Sequence, residues 1–226
     1  MSRLACQPEA MAKSNLIVNA DDLGYAQTVN EGIFAAHRDG VVTSTSLMVL
    51  RDDAPAAIEA LPAHPDLAVG LHLESAFVLC SPGGDKGRTP IEECRKQLER
   101  FRELVGREPT HLDSHKHVHE NDPVFGAAAE AVAAELGVPL RNRGIRYERG
   151  FYGRDAISPA HLVALIEALP PGWTEIGCHP AACPVPISSY DAERRIELAT
   201  LRDPGVKSLL NVSDVQLCSF AQVDRR

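Results

Sequence analysis

The chain has 226 residues, is 44% hydrophobic and carries a formal net charge of −8. That length suits one domain with a sizeable core, and roughly 200–250 residues is ordinary for an α/β barrel built as a single unit. With no run of Lys and Arg to meet a phosphate backbone, nucleic acid is not an expected partner, and small neutral or cationic ligands fit the charge better.

No apolar run reaches the roughly 18 residues a membrane span needs. The first dozen residues include Pro8 and Glu9 and lack the apolar segment of a signal peptide. Six cysteines are scattered without a Cys-x-x-Cys pair, so neither a thiolate zinc site nor a disulfide frame is indicated. The cytoplasm is the expected compartment. Residues 1–14 read as a flexible N-terminal extension, and 15–226 as the single domain.

Leu16-Ile-Val-Asn19 reads as a first strand, ending in Ala20-Asp21-Asp22-Leu-Gly24 with two adjacent carboxylates. The stripe Val29, Ile33 and Phe34 predicts a helix over Thr28–Asp39, with Gly40 as its stop. Val41–Val49 is rich in β-branched residues and reads as a second strand. A helix over Ala54–Leu61 is closed by Pro62 and Pro65, and Leu67–Leu73 forms a third strand carrying His72. The Pro/Gly-rich Ser81–Pro90 reads as a lid or substrate-contacting loop. Ile91, Cys94, Leu98, Phe101 and Val105 set a helix over Ile91–Val105.

Next comes Thr110-His-Leu-Asp-Ser-His-Lys-His-Val-His119, whose first half reads as a fourth strand. In an extended backbone His111, Asp113, His115, His117 and His119 share one face. Such a cluster is costly to bury without a cation or mutual hydrogen bonds. An alanine-rich helix follows over Pro123–Leu136, then a short fifth strand at Val138–Arg141. The basic and aromatic stretch from Asn142 to Asp155 takes no element. Pro159–Leu169 is a helix, Trp173–Cys178 a sixth strand leading into His179-Pro180, Asp191–Leu201 a last helix, and Val206–Val212 a seventh strand.

The alternation of strands and helices is the pattern of βαβ units on a parallel sheet. The expected fold is a single-domain (β/α) barrel of α/β class, TIM-like with parallel strands, and incomplete or distorted. Chemistry in such folds sits at the carboxyl ends of the strands. Asp21 and Asp22, His72, the His115 cluster and His179 all fall at such ends, which points to one converged site.

A carboxylate and two imidazoles suffice to hold a divalent cation while leaving positions for water and substrate. Asp22, His72 and His115 form the natural trio, one from each of three strands. Asp21 could then accept a proton from water, and His179, arriving from the opposite side of the barrel, could protonate a departing group. Asp113 would orient a ligand imidazole, and His117 would orient a ligand or touch substrate. Plainer readings stand beside these. Adjacent Asp residues also serve as helix N-caps, His72 could be a core histidine, and His179 a turn residue. His37, His64 and His161 lie away from strand ends and read as structural. Cys178 should face away from His179 and is not expected to be a nucleophile.

Five motifs in order, NADDLG at Asn19–Gly24, the VVTSTSLMV strand, VGLHL at Val69–Leu73, THLDSHKHVH at Thr110–His119 and EIGCHPA at Glu175–Ala181, resemble the YdjC/ChbG-like carbohydrate deacetylases. The resemblance implies a (β/α) barrel that removes the N-acetyl group of N-acetylglucosamine units in oligosaccharides or amino-sugar conjugates, releasing acetate. It implies metal ligands at His72, His115 and one Asp of the Asp21-Asp22 pair, with His179 as acid. Asp22 as ligand and Asp21 as base follow the analogy with polysaccharide deacetylases. The family's usual ion is magnesium, whereas two imidazoles suit zinc or another transition ion. Lys116 stands where relatives often carry another His, and the loop after His72 is shorter than in oligosaccharide-cleaving members. Expected partners are thus an acetylated amino sugar and, as an arrangement the sequence allows, a second copy of the chain. Competing readings are a metal-dependent phosphoesterase or another amidohydrolase on the same barrel, and a sugar-binding relative without turnover. Arg141, Arg143 and Arg146 would supply the cations for a phosphate.

Overall fold

Residues 13–75 and 87–224 are described by the computed structural model. Cys6, Cys80, the extension up to residue 12 and the proposed lid loop up to residue 86 lie outside the described residues. The sheet is built around β1 (Ser14–Leu23), whose last eight residues are all buried. Leu16, Val18 and Ala20 face the helices as part of the main core, and Ile17 joins a smaller cluster with Ala68, Ile145, Cys218 and Phe220. The intervening inward positions, Asn19 and Asp21, are polar and buried. A strand alternates its side chains between faces, so this one sequence supplies an apolar outer layer, an apolar plug and a polar mouth.

The remaining elements follow in chain order: α1 (Gln27–Asp39), β2 (Ser44–Leu47), α2 (Ala54–Ala60), β3 (Ala68–Leu73), α3 (Pro90–Val105) and β4 (Leu112–Ser114). Then come α4 (Val118–Asn121), α5 (Pro123–Leu136), β5 (Arg146–Glu148), α6 (Pro159–Glu167), β6 (Gly172–Cys178), α7 (Asp191–Leu201), α8 (Pro204–Val212) and β7 (Val215–Cys218). Among the described residues the sheet has seven strands in the order β4-β3-β2-β1-β6-β5, with β7 also on β1, and every pairing between strands is parallel. β7 takes the first half of one edge of β1 and β2 the second half. Among the described residues no strand pairing joins β4 to β5, the two ends of that order. No helix among the described residues is long and apolar enough to cross a membrane.

Helix boundaries follow local chemistry. Thr89 and Glu92 form a capping box ahead of α3, and Gly106 ends it in the left-handed conformation at φ 73°. Asp122 accepts from the amides of Val124 and Phe125 at the start of α5, with Pro123 at its first position.

Two elements differ from the sequence reading. Val138–Arg141 is not a strand: Leu140 makes one isolated parallel bridge to Leu112, and the true fifth strand is Arg146–Glu148. Val206–Val212 is the body of α8, and the seventh strand follows it. The signal for that helix was present, since Asp203 caps it by accepting from Gly205 and Val206 and Pro204 opens it.

The polar interior continues on the other strands. His111 is buried under Gly70, where an added Cβ would lie 2.4 Å from its Cε1. Its ring stacks on Phe220 at 3.8 Å. Only a glycine lets β3 pass this imidazole. Burial lowers the His111 pKa to about 3, so it is a neutral part of the floor.

Candidate active site

Asp21 and Asp22 are consecutive, so a regular strand would aim them at opposite faces. The register of β1 slips between Ala20 and Leu23, and Asp22 takes φ 71°. This bulge turns both carboxylates inward. Aspartate tolerates the left-handed region better than most side chains.

His72 ends β3 and His115 follows β4. Asp22 Oδ1 lies 3.1 Å from His115 Nδ1 and 3.4 Å from His72 Nε2. Candidate ligand atoms of Asp22, His72 and His115 lie within 4.8 Å of one another. Ligands about 2.1 Å from a tetrahedral ion sit about 3.4 Å apart, so the donor set fits a divalent cation. Asp113 accepts from His72 Nδ1 at 2.8 Å, which leaves the Nε2 lone pair facing Asp22. Burial alone would lower the His72 pKa; the Asp113 and Asp22 carboxylates hold it well above the ordinary value instead. Burial likewise opposes ionisation of Asp22, but Arg194, His115 and His72 keep its pKa well below the usual range.

Asp21 lies one shell away. Arg141 grips it with two hydrogen bonds of 2.6 Å, and Asn19 donates to its Oδ1 at 2.9 Å. His179 Nε2 is 3.8 Å from Asp21 Oδ2. The sequence expectation that His179 comes from across the barrel is corrected here: β6 pairs with β1, so Asp21 and His179 sit on neighbouring strands. Burial lowers the His179 pKa, with Asp21 and Asp22 opposing it. Cys178 faces the main core, and burial pushes its thiol well above the ordinary range.

The one-face expectation for the His-rich run also fails beyond its first half. Extended backbone ends at Ser114, and Lys116 and His117 both take φ 53° in the turn that follows. His119 turns back onto Ser114 Oγ at 2.6 Å and the Arg141 carbonyl at 3.2 Å, a structural role. His117 lines the cleft, its ring centroid 5.3 Å from that of Tyr147. Burial lowers its pKa to about 4.

Four buried charged residues escaped sequence reading in their present roles. Arg141, wholly buried, is also 2.8 Å from Asp113 and 2.6 Å from Glu175, so one guanidinium serves three carboxylates. Arg143 and Arg146 pair with Glu130 and Glu148. All three arginines named as phosphate partners are therefore committed to carboxylates. Arg194 donates to Asp22 Oδ2 at 2.5 Å. Glu197 accepts from the His179 amide and from the Tyr190 hydroxyl. Arg141 and Glu175 stand on separate segments and Arg194 and Glu197 share α7, and no spacing in the chain announces these roles.

Burial raises the Glu175 and Glu197 carboxyls from 4.5 to about 7. Each binds its proton more tightly folded than unfolded between those values. Their own contribution to stability must then fall as pH rises through that window. We expect chelator-treated Glu175→Gln to gain chemical stability relative to the parent as pH rises from 5 to 7.5, because the parent loses the Glu175 contribution there; a Glu175→Gln profile parallel to the parent's would refute this.

The polar mouth opens into a cleft of about 510 Å³ lined by Asp21, Asp22, His72, His115, His117 and His179 and by Tyr25, Tyr147, Tyr152 and Tyr190. A carboxylate–imidazole cluster at the carboxyl ends of a parallel sheet defines the class: a single-domain α/β protein with its polar site where such folds carry their chemistry. More narrowly, the chain belongs to the YdjC-like protein family, whose model matches residues 15–82 and 91–212. It is 36% identical over 240 residues to a carbohydrate deacetylase of Geobacillus stearothermophilus, covering 91% of this chain and 96% of that one. To a chitooligosaccharide deacetylase of Yersinia pestis it is 33% identical over 247 residues, covering 91% and 97%. Among solved structures, an Enterococcus faecalis protein assigned to cellobiose-phosphate cleavage superposes with a TM-score of 0.79 at 27% identity, covering 92% and 98%. The Streptomyces lividans family 4 carbohydrate esterase, solved with acetate, shares the fold at a TM-score of 0.56 and 12% identity, covering 92% and 91%.

Proposed function

We propose that this chain hydrolyses the N-acetyl group of an N-acetylglucosamine-type sugar, in an oligosaccharide or amino-sugar conjugate, and releases acetate. The observation that carries the reading is the convergence of Asp22, His72 and His115 beside Asp21 and His179 at one cleft. The relatives named as carbohydrate and chitooligosaccharide deacetylases support the substrate class.

Asp22, His72 and His115 would hold one divalent cation, which supplies Lewis acidity towards a carbonyl oxygen and lowers the pKa of water. The two imidazoles favour zinc or another transition ion over magnesium. Asp113 fixes the His72 ring, and Arg194 occupies the second oxygen of Asp22, so Asp22 offers one oxygen to the centre. Asp21, kept ionised by Arg141, takes a proton from the attacking water. As the C–N bond breaks, His179 Nε2 gives a proton to the sugar nitrogen, and burial, which weakens its hold on that proton, suits it to the task. Free thiols at Cys94, Cys178, Cys183 and Cys218 support a cytoplasmic setting.

The test is acetate release from N-acetylglucosamine oligomers, run beside phosphate esters with the metal-loaded enzyme. Acetate without phosphate supports the reading; phosphate release without acetate overturns it. Asp21→Asn should retain metal and lose turnover by about 10²–10⁴-fold, the span of a general base. Loss of metal in that variant would exchange the roles of Asp21 and Asp22.

A further inference from the structure

Among the described residues, no hydrogen bond holds the His179 ring from behind, a condition it shares with His117. Nδ1 of His179 is buried and has no hydrogen-bond partner, whereas Nδ1 of His72 is fixed by Asp113. A proton donor must nonetheless be held in one orientation. Its support comes through the backbone and the ring edges. Glu197, wholly buried on α7, divides its two oxygens between them. Oε2 accepts from the His179 amide, and Oε1 accepts from the Tyr190 hydroxyl at 2.6 Å. The same hydroxyl accepts from the Gly153 amide at 2.7 Å. Tyr190 stacks on Tyr152 with centroids 4.6 Å apart and planes 12° apart, and both rings meet His179 edge-on at 5.6 and 5.8 Å. One carboxylate thus joins α7, the loop before it, the segment after β5 and the backbone of His179.

We propose that Glu197, acting with Tyr190, is the positioning residue for His179, fixing through the main chain what a carboxylate on the imidazole would otherwise fix. The inference rests on the proton-donor role given to His179 above. It accounts for a buried carboxylate that takes no direct part in the chemistry and for an imidazole left without a ring partner. A glutamine can replace the clamp, since its carbonyl accepts from His179 and its amide donates to the Tyr190 oxygen. Alanine cannot.

The experiment uses the full-length, zinc-loaded protein and compares the parent with Glu197→Ala, Glu197→Gln and Tyr190→Phe. Three quantities are read: kcat and KM for acetate release, zinc content, and the NMR resonance of the His179 ring, assigned by its loss in His179→Gln. We expect Glu197→Ala to lower kcat by about 10²-fold, the effect of a small misplacement at a reacting centre. KM and zinc content should be unchanged, and the His179 resonance should move while those of His72 and His115 stay. Gln should recover most of the lost kcat, and Phe should give a smaller loss in the same direction. The proposal is overturned if Ala keeps the parental kcat, if Gln is no better than Ala, or if the His179 resonance does not move. Should the parent release no acetate, the deacetylase reading falls, and the resonance alone then decides whether Glu197 positions His179.

Discussion

His115→Ala is expected to lose its metal and its activity together while keeping its fold. The imidazole is about a fifth exposed, with side-chain accessibility of 18%, so truncation opens space towards the cleft and leaves the core intact. Among the described residues its one ring hydrogen bond is to Asp22 Oδ1, which His72 also faces. Two protein donors then remain for an ion that three would hold. A Lewis acid held there would contribute several kcal/mol of transition-state stabilisation, so turnover should drop by at least about 10³-fold. The measurement is elemental analysis after dialysis, with acetate release and thermal unfolding on the same preparations. A His115→Ala protein that carries as much metal as the parent would remove His115 from the ligand set. One that loses metal and unfolds would show that His115 also supports the fold.

How far this centre could be read from the chain depends on what kind of signal each residue leaves. Asp21, Asp22, His72 and His179 stand at the ends of apolar runs, and a parallel sheet brings such ends to one rim. That much follows from alternation and strand order alone. The bulge that aims Asp22 inward leaves no comparable mark, because its cause is a local left-handed turn that Asp permits without requiring. In the His-rich run, parity holds while the backbone is extended and ends at Ser114, so His111 and Asp113 were placed and His117 and His119 were not. Arg141 shows the opposite limit. Its neighbours Arg143 and Arg146 made it look like part of a basic rim, yet its side chain points into the barrel from a segment with a single bridge to β4. A side chain's direction there is decided by the tertiary structure. The segment Val206–Val212 misled by its apolar content, although the Asp-Pro start argued for a helix.

Replacing Arg141 by Met should destabilise the protein by about 3–5 kcal/mol, the cost of leaving buried charge uncompensated. The guanidinium is fully buried and lies within 2.8 Å of oxygens from Asp21, Asp113 and Glu175. A methionine fills similar volume, so the loss would be electrostatic and not a cavity effect. Asp113 would keep His72 and Ser46 as partners, whereas Asp21 would keep Asn19, and Glu175 would lose its hydrogen bonds. Burial already disfavours the charged form of Asp21, and Arg141 is the largest influence pulling its pKa down. Without it the pKa must rise, and the acid limb of the pH–rate profile should move upward with it. The sign on stability follows from linkage. A carboxylate whose folded pKa is depressed stabilises the fold above its unfolded value and loses that contribution as pH falls through the folded one. The parent therefore holds this stabilisation at neutral pH, and Arg141→Met should show its deficit there and converge on the parent as the carboxylates protonate. Arg141→Lys supplies a charge without the two-pronged grip on Asp21 and should fall between the two. Urea unfolding at pH 4 and pH 7 decides the matter: equal stability of parent and Met variant at pH 7 would mean that the three carboxylates do not depend on this cation.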